Sequence, residues 1–307
     1  TPLLSSPFLN DIAGRNIWVK PECLQHTGSF KFRGGWAAIS ALSNAQRANG
    51  VIAFSSGNHA QGIANAAAHH NTKAVIVMPS DAPQIKIENT RALGAEVVFF
   101  DREKESRDDV AASVNHDGKM TLIKPYDNEL VIAGQGTVGL EIAQQSAALG
   151  IEQAEVLVCC GGGGLTSGIA LALESEAPHF QTRTAEPAEF DDVARSLASG
   201  NIETNTRKSG SICDAIITPS PGNLTFPIMQ KLCGKGLVVS EEEALHAVAL
   251  AYERLRIVVE PGGAVALAAA LFHGDELQSD HIIAVATGGN VDTEIFINAL
   301  QKFGAKS

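Results

Sequence analysis

The chain has 307 residues, enough for one large core or two interlocked lobes. Its 45% hydrophobic residues, 5% aromatics and 29 glycines suit close helix-on-sheet packing in a soluble globular protein, not a disordered or fibrous chain. Lys and Arg number 23 against 34 Asp and Glu, a net charge of -11 with no basic block, which sets aside nucleic acid and anionic membrane surfaces as partners.

Taken in chain order, buried-type apolar runs alternate with helical segments. The strand candidates are "NIWVK" (16–20), "VIAF" (51–54), "KAVIVM" (73–78), "EVVFF" (96–100), "MTLIK" (120–124), "EVLVCC" (155–160), "TRTAE" (182–186) and "HIIAVAT" (281–287). Nearly every one feeds a helix, which predicts βαβ units and parallel sheet covered on both faces. The Pro/Ser/Gly-rich segment 200–236 reads as a long irregular excursion packed on a domain surface. The apolar stretch "GGAVALAAALF" (262–272) is too short to span a bilayer, and no signal sequence opens the chain. It begins at Thr1 without methionine, so a preceding native segment is left open. Cys23, Cys159, Cys160, Cys213 and Cys233 form an odd set without a CxxC pair. That argues against a disulfide framework or thiolate zinc site and for a reducing, cytoplasmic compartment. Cys159 and Cys160 end a strand and read as packing residues.

Ligands in such folds sit beyond the C-terminal ends of strands, so the loops carry the chemistry. Four glycines, Gly161 to Gly164, separate a strand from a helix. They expose N–H groups at a helix N-terminus, which suits a phosphate; the plain alternative is a flexible turn. Neither a G-x-G-x-x-G nor a P-loop pattern fits there, so the phosphate belongs to another kind of cofactor. "SSGNH" (55–59) offers two hydroxyls, an amide and an imidazole able to hold a small carboxylate, or else a polar turn satisfying its own backbone. In "HTGSFKFRGG" (26–35), Lys31 falls in the first turn of a helix, an unfavourable place for an ammonium. A solvated surface lysine is the bland reading. The helix end, with burial among Phe30, Phe32 and Trp36, would instead depress its pKa and free a nucleophilic amine. An active amine plus a phosphate nest describes pyridoxal 5'-phosphate held as a Schiff base.

"KPECLQHTGSFKFRGG", "SSGNHAQG", "AGQGTVGLEI" (133–142), "GGGGL" and "TGGNVD" come in the order of, and the chain resembles, the fold-type II pyridoxal-phosphate family, specifically its serine/threonine dehydratase and serine racemase group. The resemblance implies an α/β fold of two parallel-sheet αβα domains, like the tryptophan synthase beta chain. Residues 1–49 and 128–307 would form the large cofactor-binding domain and 50–127 a small mobile one. By the same resemblance Lys31 carries the cofactor and moves protons at the substrate α-carbon. Gly161, Gly162, Gly163, Gly164 and Leu165 hold the phosphate, Asn58 meets the pyridoxal 3'-oxygen, and Phe30 packs against the ring. Thr287 meets the pyridine nitrogen with a hydroxyl, where many dehydratases of the group carry serine. A buried threonine ending a core strand is its bland reading.

Ser55, Ser56, Asn58 and His59 match the substrate-carboxylate loop, and Ser56 matches the base on the face opposite the lysine in the group's racemases. Arg107 aligns with an arginine that reaches a distal carboxylate, which would admit 3-hydroxyaspartate; alternatively it is a helix-surface arginine among acids. Glu186, the Phe190 carbonyl and Asp192 match a divalent-cation site suited to magnesium or calcium. An acidic helix start would look similar. Tyr126 stands where dehydratases commonly carry an aromatic and the racemase an asparagine. Glu260 matches a glutamate near the cofactor or caps a helix. His69 and His70 read as ordinary helix residues. With the chain ending one helix after "TGGNVD", no isoleucine-binding regulatory domain is expected. The implied activity is an ammonia-lyase converting a hydroxy amino acid such as L-threonine or L-serine to a 2-oxo acid and ammonia, in a homodimer. The alternatives are a serine/aspartate racemase, a 3-hydroxyaspartate dehydratase, or a cofactor-binding protein without turnover.

Overall fold

The computed structural model describes residues 1–305 apart from Ser56, Pro83, Arg102 and Glu103, with every side chain in that range but those of Ile85 and Asp108. Two units group by their internal contacts: Thr1–Ser29 with Gly136–Ser307, and Phe30–Gln135.

The chain opens with strand β1 (Leu4–Ser5), helix α1 (Pro7–Ala13) and strand β2 (Asn16–Pro21). Pro7 suits the start of α1, where its missing N–H costs nothing, and Gly14 ends the helix at φ +66°. Next come α2 (Lys31–Ser40), α3 (Asn44–Asn49), β3 (Val51–Phe54), α4 (Asn58–His69), β4 (Ala74–Pro79), α5 (Gln84–Ala92), β5 (Glu96–Phe100), α6 (Arg107–Val114), β6 (Thr121–Leu122) and α7 (Glu129–Ala148). There follow β7 (Ala154–Cys159), α8 (Gly164–Glu176), β8 (Phe180–Pro187), α9 (Asp192–Ser199), α10 (Thr225–Leu232), β9 (Leu237–Val239), α11 (Glu241–Leu250), α12 (Pro261–Phe272), β10 (His281–Ala286) and α13 (Thr293–Phe303).

The Phe30–Gln135 unit holds a wholly parallel sheet in the order β5-β4-β3-β6. Every residue of β3 and β4 is buried, as continuous apolar runs require when helices cover both faces. Helices α2 and α3 precede the 50–127 segment expected to form the small domain, yet group with it. The cause is close contact: a Cβ on Gly35 of α2 would lie 3.1 Å from the Gly62 carbonyl of α4.

The other unit holds a six-stranded sheet in the order β1-β2-β10-β7-β8-β9, parallel except where β1 pairs antiparallel with β2. Its core includes α12, buried from Pro261 through Leu271, so the most apolar stretch is an interior helix. No helix among the described residues is long and apolar enough to cross a membrane. All five cysteines are free thiols, and Cys159 and Cys160 are core packing residues.

The segment 200–236 is not irregular throughout. It contains α10, whose Thr225, Phe226 and Met229 are buried. Pro227 reads as a breaker in sequence but occupies the first helical turn, where its lost N–H has no partner anyway. Strands β1 and β9, of two and three residues, are too short to show periodicity.

Candidate active site

In the six-stranded sheet β10 and β7 are parallel neighbours, with Val285 level with Val158. The loops that leave them, starting at Thr287 and Gly161, therefore emerge side by side at the ligand-binding edge of the sheet. Gly163 adopts φ +88° as the residue before α8. A Cβ on it would collide with Met229 Cε as well as require that left-handed backbone. Among the described residues, no acceptor takes the N–H groups of Gly161 through Thr166, while Ser167 N–H already donates to Gly163 O at 2.8 Å. Successive unclaimed donors at a helix N-terminus form an anion nest. Thr287 is buried, and its N–H donates to Gly263 O at 3.2 Å. The Cys159 thiol, which donates to Gly263 O at 3.3 Å, is pushed by burial up to about 11 and so stays protonated at neutral pH. Glu260, also buried, directly precedes α12 without capping it through its side chain.

The segment ahead of Lys31 is tied to the loop after β10. Asn290 Nδ2 donates to Thr27 O at 2.8 Å, Gly289 N–H donates to Gly28 O at 2.9 Å, and Ser29 bridges to Gly288. Thr27 takes φ +60°, an unusual conformation for a β-branched residue that these bonds hold in place.

In the Phe30–Gln135 unit, Lys31 is the first residue of α2. Its Nζ donates to Pro125 O at 2.9 Å and lies 5.1 Å from the centre of the Phe30 ring. The residue as a whole is half-buried, but its amine is deep enough that desolvation lowers its pKa to about 8. Phe32 and Trp36, on the same helix, have ring contacts of their own. They pack on each other, and Trp36 meets His69 and His70. The lysine's backbone is held by α4: a Cβ on Gly62 would lie 2.9 Å from Lys31 C, 3.0 Å from Lys31 O and 3.0 Å from Phe32 N. Only glycine allows that approach.

Ser55 and Asn58 stand at the start of α4, where Ser55 Oγ accepts the Gly57 N–H at 3.1 Å. His59 is buried, and its Nε2–H donates to Ile123 O at 3.0 Å. Burial, then the nearby Lys31 charge, push its pKa down to about 3, so it stays neutral with Nδ1 as the remaining acceptor. The Arg107 guanidinium sits 4.6 Å from the centre of the Phe54 ring, at the end of β3 and beside Ser55 in the chain. Tyr126 follows Pro125, the residue that accepts from Lys31. Ser56 lies outside the described residues.

A family model described as "Pyridoxal-phosphate dependent enzyme" matches residues 1–288. The chain belongs to that family. Within this pyridoxal-phosphate family it is similar to an L-threo-3-hydroxyaspartate ammonia-lyase of Pseudomonas sp, 40% identical over 98% of this chain and 93% of the relative. It is also similar to a serine racemase of Schizosaccharomyces pombe, 38% identical over 98% and 92% of the two chains. Among solved structures, a T.th. threonine deaminase superposes with a TM-score of 0.88 at 42% identity, over 95% of this chain and 93% of that one. The two parallel sheets are those of fold-type II pyridoxal-phosphate enzymes.

The residues present fit the family's cofactor. The unclaimed N–H groups suit a phosphate, and the depressed Lys31 amine suits an aldehyde. For the expected cation the structure offers two acidic side chains, Glu186 and Asp192. Glu186 Oε1 and Oε2 accept the N–H groups of Val193 (2.9 Å) and Ala194 (2.6 Å). Asp192 Oδ1 accepts from Asn205 Nδ2 at 2.5 Å, while its buried Oδ2 has no hydrogen-bond partner among the described residues. Burial raises both carboxyls, Glu186 further through Asp192 beside it and Asp192 to about 7, so the pair is short of positive charge. Phe190, buried between them in the chain, completes the segment. Among the described residues no three acidic, histidine or cysteine side chains gather as a metal cluster, so backbone and water oxygens would have to complete the shell.

Sequence reasoning passed over two polar residues that serve these loops, Asn205 and Thr225. Asn205 Nδ2 donates to Asp192 and to Thr218 O at 2.9 Å, joining the acidic pair to the strip that packs against Gly161. The only signal for Thr225 was its place before Phe226-Pro227, a helix-start pattern.

Proposed function

We propose that the protein is an ammonia-lyase that converts a β-hydroxy amino acid such as L-serine or L-threonine to a 2-oxo acid and ammonia. The carrying observation is Thr287: a buried hydroxyl, not a carboxylate, ends β10 beside the glycine loop. A hydroxyl does not hold a pyridine nitrogen protonated, which favours loss of a β-substituent over deeper charge delocalisation into the ring. When bound, pyridoxal phosphate supplies an aldehyde that joins the substrate amine and a ring that withdraws electrons from its α-carbon. Gly161, Gly162, Gly163, Gly164 and Leu165 would hold its phosphate, Phe30 and Asn58 its ring and 3'-oxygen, and Thr287 its nitrogen.

The protein's own groups do the rest. The start of α4, with Ser55, Asn58 and His59, orients the substrate carboxylate at the positive end of a helix. Lys31, with an amine neutral near pH 8, takes the α-proton. The β-hydroxyl leaves as water, and hydrolysis of the enamine returns one water and gives the oxo acid and ammonia. Ser56 would hold a proton on the opposite face, the group a racemase needs. A magnesium or calcium ion at Glu186, Phe190 and Asp192 would support the fold, and a cytoplasmic homodimer completes the reading.

One observation favours a second reading, a dicarboxylic substrate. Arg107 is held over Phe54 at the mouth of the carboxylate loop, where its charge can meet a distal carboxylate such as that of 3-hydroxyaspartate. The similarity to an L-threo-3-hydroxyaspartate ammonia-lyase supports it. The test assays L- and D-serine, L-threonine and the threo and erythro 3-hydroxyaspartates for oxo acid and for enantiomer. Oxo acid from L-serine or L-threonine is expected. A strong preference for the dicarboxylate that Arg107→Ala abolishes selects the second reading, and enantiomer without oxo acid refutes both in favour of racemisation.

A further inference from the structure

The peptide between Gly162 and Gly163 is held from behind. Thr225, fully buried at the first position of α10, donates its Oγ1 hydroxyl to Gly162 O at 2.6 Å. Gly222 N–H reaches the same carbonyl at 3.2 Å and Thr225 Oγ1 at 2.9 Å. The hydroxyl therefore accepts from Gly222 while giving its own proton to Gly162; the Gly222 carbonyl, 3.3 Å away, is the poorer acceptor. Ser167 Oγ, in the first turns of α8, donates to Thr225 O at 3.1 Å and ties the start of α10 to the helix that the glycine loop opens.

This arrangement has a geometric consequence. In a trans peptide the carbonyl and the following N–H point in opposite directions, and among the described residues no peptide is cis. Turning Gly162 O toward Thr225 therefore turns Gly163 N–H away from it, to the side where no group among the described residues accepts it. Glycines on both sides of a peptide give it no conformational preference of its own, so orientation has to come from outside the loop. We propose that Thr225 is a positioning residue for the cofactor phosphate: its hydroxyl sets the Gly162–Gly163 peptide so that the Gly163 N–H is aimed at the anion. The proposal rests on the reading of Gly161 to Leu165 as the phosphate loop.

The test titrates full-length, cofactor-free wild type, Thr225→Val, Thr225→Ser and Gly163→Ala with pyridoxal 5'-phosphate and with pyridoxal, which lacks the phosphate. Phosphorus-31 NMR of the bound cofactor is the second readout. Valine keeps the shape and removes the donor, leaving Gly162 O only the longer bond from Gly222 N–H, and should weaken pyridoxal-phosphate binding by about five- to tenfold, the usual cost of one lost buried hydrogen bond, while pyridoxal binding changes less than twofold. Serine should restore both the affinity and the phosphorus resonance. Gly163→Ala breaks the loop directly and should lose pyridoxal-phosphate binding. Wild-type affinity in Thr225→Val, with binding lost in Gly163→Ala, overturns the role of Thr225 and leaves the loop reading standing. Wild-type affinity in Gly163→Ala overturns the loop reading itself. If Thr225→Val does not fold by circular dichroism, Thr225→Ala takes its place with the same expectations.

Discussion

Lys31 gives the most quantitative prediction. Desolvation takes its amine from 10.5 to about 8. At about pH 7.5 an ordinary lysine amine is neutral in about one molecule in a thousand, whereas one with a pKa of about 8 is neutral in about one in four, a gain of roughly 200-fold in reactive amine. Only the neutral amine attacks an aldehyde. The rate at which pyridoxal 5'-phosphate attaches covalently to the cofactor-free protein, followed by absorbance between pH 6 and 11, should therefore rise through an apparent pKa near 8 and level off above it. The stability linkage has a matching sign. The folded pKa lies below the unfolded one, so the unfolded chain binds the proton more tightly, and stability of the cofactor-free protein should rise with pH between about 8 and 10.5. Phe30→Ala, which uncovers the amine, should move the rate profile toward higher pH. An attachment rate that climbs only above pH 10 in the wild type would refute the buried-amine argument.

Three further outcomes follow from other contacts. Gly62→Ala puts a methyl 2.9 to 3.0 Å from backbone atoms of Lys31 and Phe32 that cannot swing aside. It should cost about 1–3 kcal/mol in denaturant titrations and slow cofactor attachment; unchanged values for both would show that α4 does not fix the lysine. Arg183 and Glu155 form a buried pair at 2.9 Å, so Arg183→Met leaves a buried carboxylate without its cation and should cost about 3–5 kcal/mol, read as a clear fall in melting temperature. An unchanged melting temperature would contradict that. Removing divalent cations by chelation should lower the melting temperature reversibly, with magnesium or calcium restoring it in the wild type but not in Asp192→Ala; no response in the wild type would leave the acidic pair without a cation.

Much of this was legible in the sequence because particular chemistry leaves few residue choices. A glycine run after a buried strand marks backbone that other residues tolerate poorly, and Gly163 at φ +88° adopts such a conformation. Continuous apolar runs revealed the parallel strands because both faces are covered. The partners that hold these features were not legible. Thr225 acts on Gly162 from 63 residues away, and Asn205 joins Asp192 to Thr218; an ordinary polar residue in a Pro- and Gly-rich stretch gives no local sign of what it will face. Which aromatic ring lies beside the amine is likewise a matter of tertiary packing: Phe30 lies 5.1 Å from Lys31 Nζ, while Trp36 also meets His69 and His70 at the end of α4.

The most direct test of the account is the fate of the substrate α-hydrogen. With L-serine deuterated at the α-carbon and pyridoxal phosphate present, NMR should show the wild type releasing that deuterium to water as pyruvate and ammonia form. Lys31→Ala, folded and supplied with cofactor, should keep the deuterium in place and make no pyruvate. Release of the deuterium by Lys31→Ala at the wild-type rate would contradict the assignment of the proton-moving amine to Lys31.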